Sequence, residues 1–235
     1  MARKVNLYQF LKSVGLFHSK QEISKVVSSG QITVDGRVTT SMQFQFNPNK
    51  KEVVCNGKLI KPASKKYFIV YKPENYSCQR GDSYPDVVKL ITIDSKEQNS
   101  LFPVGRLDIP TRGLLVVTND GDLSKNILEP KNKISKTYHA RLKHQFTKTD
   151  AQKLREGVVI EAGGKHHFTS PAQIKILKDD LVEISITEGK NRQVRKMFAV
   201  IGNKVIDLLR VSIGDLKLDD LKLLEGQFAE LSEEE

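Results

Sequence analysis

The apolar positions of the first third of the chain change period, and each period predicts a different element. Leu7, Phe10, Leu11 and Val14 recur at the spacing of one helix face. Ser19-Lys20-Gln21-Glu22 then sets a hydroxyl three residues before a carboxylate, the pair that satisfies free amides at a helix start. A second short helix through Ile23, Val26 and Val27 is expected to end at Gly30. From there the period drops to two. Ile32-Thr33-Val34, the turn pair Asp35-Gly36 and Val38 predict a hairpin. Further on, Tyr67-Phe68-Ile69-Val70-Tyr71 is a strongly apolar strand that stops at Lys72-Pro73, because proline has no N–H for the ladder. Strands are also predicted at Leu114 to Thr118, Tyr138 to Leu142, Ala172 to Leu177 and Val182 to Thr187, with a helix from about Arg192 to Ile201.

These elements divide the chain into a small head of two helices and a short hairpin, residues 1–57, a basic linker over 58–66 with Pro62 inside it, and a larger domain over 67–235. The class is α+β.

Composition narrows the function. At 38% hydrophobic residues the 235-residue chain can build an ordinary soluble core, and no apolar run approaches the roughly 20 residues that span a bilayer. No signal-peptide pattern follows Met1-Ala2-Arg3-Lys4, so a cytoplasmic protein without a membrane partner is expected. Cys55 and Cys78 fit neither a disulfide framework nor a metal-binding set, and are read as reduced thiols. The net charge of +10 is uneven: residues 1–66 carry 12 Lys and Arg against 3 acids, net +9, whereas residues 219–235 carry one base, Lys222, and seven acids. Such a head points to a polyanion.

One run is more specific than charge. From Gly105 to Asp122 the chain places Asp108 between Arg106 and Arg112, follows it with the apolar stretch Leu114 to Val117, and closes with a turn. Lys72-Pro73-Glu74-Asn75-Tyr76 precedes this run, Lys136-Thr137-Tyr138 follows it, and Glu188-Gly189-Lys190-Asn191-Arg192-Gln193-Val194-Arg195-Lys196-Met197 comes last. Four such blocks in this order, in a match running from about Val5 to about Leu231, resemble the pseudouridine synthases that modify ribosomal RNA, the RsuA/RluB/RluE/RluF family. The head resembles the small RNA-binding domain named after the fourth protein of the small ribosomal subunit. Ser19-Lys20 stands for that domain's Ser-Arg pair, and Gly30-Gln31-Ile32-Thr33-Val34-Asp35-Gly36 for its hairpin, while its Arg-Leu start is Asn6-Leu7 here. Lysine keeps the charge of arginine but not its two-pronged hydrogen bonding.

The resemblance implies a catalytic domain with a mixed, largely antiparallel sheet and a central cleft. The reaction it implies breaks a ribose–uracil carbon–nitrogen bond, turns the base and rejoins the sugar to carbon 5. It needs no redox step or net hydrolysis, so neither cofactor nor metal is expected. Asp108 would be the essential carboxylate, adding to an electron-poor carbon or taking a sugar proton, and both routes remain open. Arg195 would pair with it beneath the base, and Tyr138 would stack on the uracil and serve the proton leaving carbon 5. Arg106, Lys72, Lys190, Arg192 and Lys196 would bind the substrate, and Ser19, Lys20, Lys25 and Arg37 would grip RNA through the head. The implied partner is ribosomal RNA or a ribosomal subunit, with a lean to the small subunit from Tyr76 to Pro85, and a monomer is expected.

The alternative is a non-catalytic ribosome-binding or assembly factor using the same basic surface. Asp108, Tyr138 and Arg195 together argue for the enzyme, since a retired site has no chemical reason to keep all three types. A hydrolase with Asp108 as nucleophile lacks a partner general base or metal ligands. Gly189-Lys190 lacks the glycine and hydroxyl of a nucleotide loop, and the adjacent His166 and His167 are read as loop histidines rather than a metal pair.

Overall fold

The computed structural model describes residues 4–231, in two compact units. One runs up to Lys66 and is completed by Ile91–Phe102; the other comprises Tyr67–Leu90 and the chain from Pro103 onward.

In the first unit the helix Leu7–Val14 buries Leu7, Phe10, Leu11 and Val14, the four apolar positions of its pattern. Asn6 caps it in a reciprocal arrangement with Gln9, so the residue that replaces the family arginine starts the helix. The helix Lys20–Ser28 starts as expected, with the Ser19 hydroxyl accepting from the Glu22 amide at 3.1 Å. The Glu22 carboxylate goes one residue further back, accepting from the His18 amide at 2.8 Å. Asp35 and Gly36 both have positive φ, 49° and 74°, which joins Ile32–Val34 to Arg37–Val38 through the tight turn that matches strand twist.

Two expectations need correction here. Lys58–Ile60, assigned to the linker, is a strand that pairs with Val53–Cys55 across a second tight turn at Asn56-Gly57. Ile91–Phe102, placed by the sequence reading in the larger domain, packs in the first unit. Its helix Ser95–Ser100 comes so close that a Cβ on Gly15 would lie 1.9 Å from the Lys96 carbonyl oxygen, and Lys12 stands 4.8 Å above the Phe102 ring.

The second unit is built on a mixed sheet whose main path runs Gln173–Lys178, Leu181–Ile186, Lys136–Leu142, Val205–Ile213, Arg112–Thr118, Tyr67–Lys72, Phe228–Leu231. Neighbours on this path are antiparallel except Val205–Ile213 with Arg112–Thr118, so the sheet is mixed and largely antiparallel. The helix Gln193–Val200 buries Val194, Met197 and Phe198 in the core formed around Ala140, Val182 and Ile184. Tyr67–Lys72 and Arg112–Thr118 are buried on both faces, which is why they read as continuous apolar runs.

The strand Val205–Ile213, at the centre of the sheet, is not predicted by the pattern. Asp207 and Arg210 interrupt its apolar positions. A bulge sets it against Lys136–Leu142: Thr137 faces Ser212 while Tyr138 faces Arg210, leaving Val211 unmatched. His166 and His167 lie on the strand Lys165–Phe168, not in a loop; they face opposite ways, His166 exposed and the His167 ring nitrogen 3.2 Å from the Ala162 carbonyl.

Candidate active site

Asp108 sits on the loop from Gly105 to Thr111, and that loop is held from several sides. Lys72 ends its strand fully buried and donates to the carbonyls of Ile109 at 3.2 Å, Thr111 at 2.9 Å and Pro73 at 2.9 Å. The Asn75 amide also donates to Ile109, at 3.1 Å, and the Thr111 amide closes a turn back onto the Asp108 carbonyl at 2.9 Å. Arg195 holds the far side, its Nη2 donating to the Pro110 carbonyl at 2.8 Å. Burial pushes the Lys72 ammonium below the usual lysine value. With no exposed surface and its three donors spent on carbonyls, Lys72 is not placed to touch a substrate. The expectation that it binds one is corrected: it clamps the loop.

The ion pair also differs from the expected one. Among the described residues the guanidinium within reach of Asp108 belongs to Arg192, its Nη1 3.7 Å from Oδ2. Arg195 spends Nη1 on the Val205 carbonyl at 3.0 Å and Nη2 on Pro110. The local reason is the turn: Arg192 has φ 53°, and this left-handed residue starts the helix and throws its side chain toward the loop. Burial, reinforced by the neighbouring Arg192 charge, lowers the Arg195 value. Arg112, the other arginine of the framing run, turns away to Asp207 at 2.7 Å and Glu225 at 3.0 Å.

Asp108 stands where two cavities share a wall. The inner one, about 150 Å³, is lined by Tyr138, Ile186, Leu208, Arg210 and Ile213 from the sheet and by Val194 and Arg195 from the helix. The outer one is an open groove of about 750 Å³ bounded by Ser77, Gln79, Pro110, Pro130 and Asn191. Arg106, Asp108, Lys190 and Arg192 line both. Register explains the inner wall: Lys136 and Tyr138 share one face of their strand, Arg210 faces Tyr138 with Leu208 two residues before it on the same face, and the bulge changes the phase so that Ile213, facing Lys136, joins them.

Of the expected substrate-binding residues, Arg106, Lys190 and Arg192 are exposed on this shared rim. Lys196 is not there. It points to Asn191 Oδ1 at 3.5 Å and lines a separate depression with Ile160 and Val200. In the first unit Ser19 caps its helix, Lys20 lies 6.0 Å from the Tyr8 ring centre, and Lys20, Lys25 and Arg37 are exposed.

The sequence reading missed Arg210, Lys136 and Gln193, all of which line the inner cavity. Arg210 is only 4% exposed; its Nε donates to the Leu114 carbonyl at 2.7 Å. Burial, and then the Arg210 charge, lowers the Lys136 value. Gln193 is buried and ties Glu188 Oε1, at 2.7 Å, to the Lys190 amide, at 2.9 Å, fixing the turn before the helix. Arg210 inside the run Leu208-Leu209-Arg210-Val211 was the available signal.

The family model described as RNA pseudouridylate synthase matches residues 66–200. An uncharacterized RNA pseudouridine synthase from Aquifex aeolicus (strain VF5) is 35% identical over 99% of this chain and 92% of its own length. Ribosomal small subunit pseudouridine synthase A from Vibrio cholerae serotype O1 (strain ATCC 39315 / El Tor Inaba N16961) is 35% identical over 92% of each chain. The protein of that name from Yersinia pestis is 33% identical over 92% of this chain and 91% of its own length. A crystal structure of a pseudouridylate synthase superposes with a TM-score of 0.70 at 31% identity, covering 98% of this chain and 97% of that one. Fold, site and relatives converge: the chain belongs to the RNA pseudouridylate synthase family, and it is an isomerase.

Proposed function

We propose that this enzyme converts a specific uridine of ribosomal RNA, in the small subunit, to pseudouridine, with Asp108 as the essential carboxylate and the target nucleotide flipped out of its stack into the inner cavity. The observation that carries the reading is the position of Asp108, on a clamped loop where the inner cavity opens into the groove. A base inserted between Tyr138 and the Asp108 loop would leave its ribose beside the carboxylate and its phosphates in the groove among Arg106, Lys190 and Arg192. Extrusion is needed because neither sugar carbon nor base edge is reachable in a stacked helix. The small-subunit assignment is supported by the names of the relatives from Vibrio cholerae and Yersinia pestis.

The chemistry balances without an outside reagent. The bond from the sugar to ring nitrogen 1 breaks, the freed base turns within the cavity, a bond forms to carbon 5, the proton on carbon 5 is lost to a base, and nitrogen 1 takes up a proton, so that none is gained or lost overall. Asp108 serves either by adding to the sugar carbon and leaving again, or by removing and returning a sugar proton. Tyr138 offers a flat ring for stacking and a hydroxyl for the carbon 5 proton. Arg192 stands 3.7 Å from the carboxylate and orients it, while Arg195 positions the loop through Pro110.

The first unit supplies sequence-tolerant grip through Lys20, Lys25 and Arg37, with Ser19 shaping the helix start. If such contacts neutralise about six phosphates on single-stranded RNA, log affinity falls against log salt with a slope near −4. A slope near zero in filter-binding titrations between low and physiological salt would contradict this role. Among the described residues no helix is long and apolar enough to cross a membrane, and action in the cytoplasm as a monomer completes the reading.

The test is to incubate the enzyme with unmodified RNA of each ribosomal subunit and to map pseudouridine chemically. One new pseudouridine in the small-subunit RNA is expected. A product in the large-subunit RNA alone overturns the subunit assignment, and no product in either, as naked RNA or assembled particle, favours the non-catalytic ribosome-binding or assembly reading.

A further inference from the structure

Three buried polar side-chain atoms have no hydrogen-bond partner in the protein among the described residues: Thr111 Oγ1, Arg195 Nε and Arg210 Nη2. All three residues line the inner cavity. A buried polar group without a partner is costly, and a set of them around one cavity is what a site built for a polar ligand leaves unspent while unliganded.

Arg210 is the most constrained of the three. It is 4% exposed, and its Nε is anchored to the Leu114 carbonyl at 2.7 Å. It lies between Tyr138 and Gly113 in the cross-strand row of the sheet. Gly113, at φ 117°, has no substitute there, because a Cβ would lie 2.3 Å from the Arg210 carbonyl oxygen and 2.5 Å from its nitrogen. The two backbones therefore meet closely; Tyr138 stands opposite Arg210 in the register, and both residues line the inner cavity.

A guanidinium donates and never accepts. Uracil carries an oxygen on carbon 4, an acceptor, where cytosine carries an amino group, a donor. Since the oxygen on carbon 2 is common to both pyrimidines, a donor spent there would not distinguish them. A phosphate is a poor occupant of this pocket, because Ile186, Leu208, Ile213 and Tyr138 give it apolar walls suited to a flat ring.

Resting on the function proposed above, we infer that Arg210 is a specificity-determining residue: it donates a hydrogen bond to the oxygen on carbon 4 of the inserted uracil and so excludes cytosine. The requirement is steep, because a base lacking that acceptor leaves a buried charge unpaired against a donor.

The test compares RNA substrates carrying uridine, 2-thiouridine or 4-thiouridine at the target position, using the wild type, Arg210→Met and Arg210→Lys. Sulfur is the weaker acceptor. For the wild type, kcat/KM should fall about tenfold with sulfur on carbon 4 and stay within about twofold with sulfur on carbon 2. Arg210→Met should lower kcat/KM on uridine about 10- to 100-fold and lose the 4-thio discrimination, while affinity for the RNA as a whole changes less than about threefold. Arg210→Lys should recover part of both. A merely structural arginine would not alter the response to a single atom of the substrate. The wild-type comparison needs no variant, so a folding defect in Arg210→Met leaves the test intact. Equal turnover of all three substrates by the wild type, or a penalty at carbon 2 only, overturns this inference while leaving the function standing. No turnover of uridine by the wild type overturns the function and this inference together.

Discussion

Asp108→Asn is expected to abolish pseudouridine formation, with kcat lowered at least about a thousandfold and RNA affinity within about twofold of wild type. The replacement is nearly isosteric, so packing on the loop is kept. What is lost is a group able to attack carbon or take a proton, and an amide does neither at useful rates. Stability should change little, and the magnitudes say why. The Asp108 side chain is 26% exposed and its partner Arg192 45%, at a separation of 3.7 Å. A partly exposed pair of this kind contributes at most about 1 kcal/mol. Single-turnover assays beside a thermal melt separate the two effects. If Asp108→Asn converted its target within tenfold of the wild-type rate, the carboxylate would not be doing the chemistry, and the proposed mechanism would fail whatever the RNA affinity.

Lys72→Met should be the second most damaging change, through a different route. The methionine fills much of the same volume but leaves the Pro73 carbonyl and the buried Thr111 carbonyl without their donor, and the Ile109 carbonyl with the Asn75 amide alone. Each orphaned carbonyl costs about 1–3 kcal/mol, partly offset because the uncompensated burial of the ammonium is relieved. A net loss of about 3 kcal/mol lowers the melting temperature by about 6–12 °C for a unit of this size. The rate should suffer more than the fold. A reacting group displaced by about 1 Å costs on the order of 100-fold, so kcat should fall about a hundredfold while KM for RNA moves less than about threefold. A substrate-binding lysine would show the opposite split, a raised KM with kcat intact, and that result would return Lys72 to the role its motif suggested.

Both predictions turn on how much of the site is written locally. The helices Leu7–Val14 and Lys20–Ser28, the hairpin at Asp35-Gly36 and the strand Tyr67–Lys72 are legible because each is set by periodicity and turn chemistry within about ten residues. The turn at Asn56-Gly57 carries the same signal as Asp35-Gly36, and it extends the head to Ile60, so that a linker begins after Ile60 rather than at Lys58. The order of blocks put Asp108 and Tyr138 forward as site residues, and both line the inner cavity.

Roles within a block were a different matter. Arg192 and Arg195 are three residues apart in the same polar run, and no spacing rule separates them. Which one faces Asp108 depends on the left-handed turn at Arg192 and on the Val205 carbonyl that captures Arg195, at the head of a strand whose charged positions hid it. Lys72 is basic and lies in a functional motif, but its strand is buried on both faces, so its end points into protein.

Local pattern therefore specified the elements and the class of fold, because helix and strand periods and turn residues act over a few positions, while Asp108 was put forward by the order of the motif blocks. Assignment of Ile91–Phe102 to the first unit, the Lys72 clamp, the exchange of Arg192 for Arg195 and the placing of Arg210 beside Tyr138 were settled by contacts between segments up to about a hundred residues apart. Such contacts follow from sheet order, one bulge and one glycine that lets two backbones meet, none of which has a signature in the nearby chain.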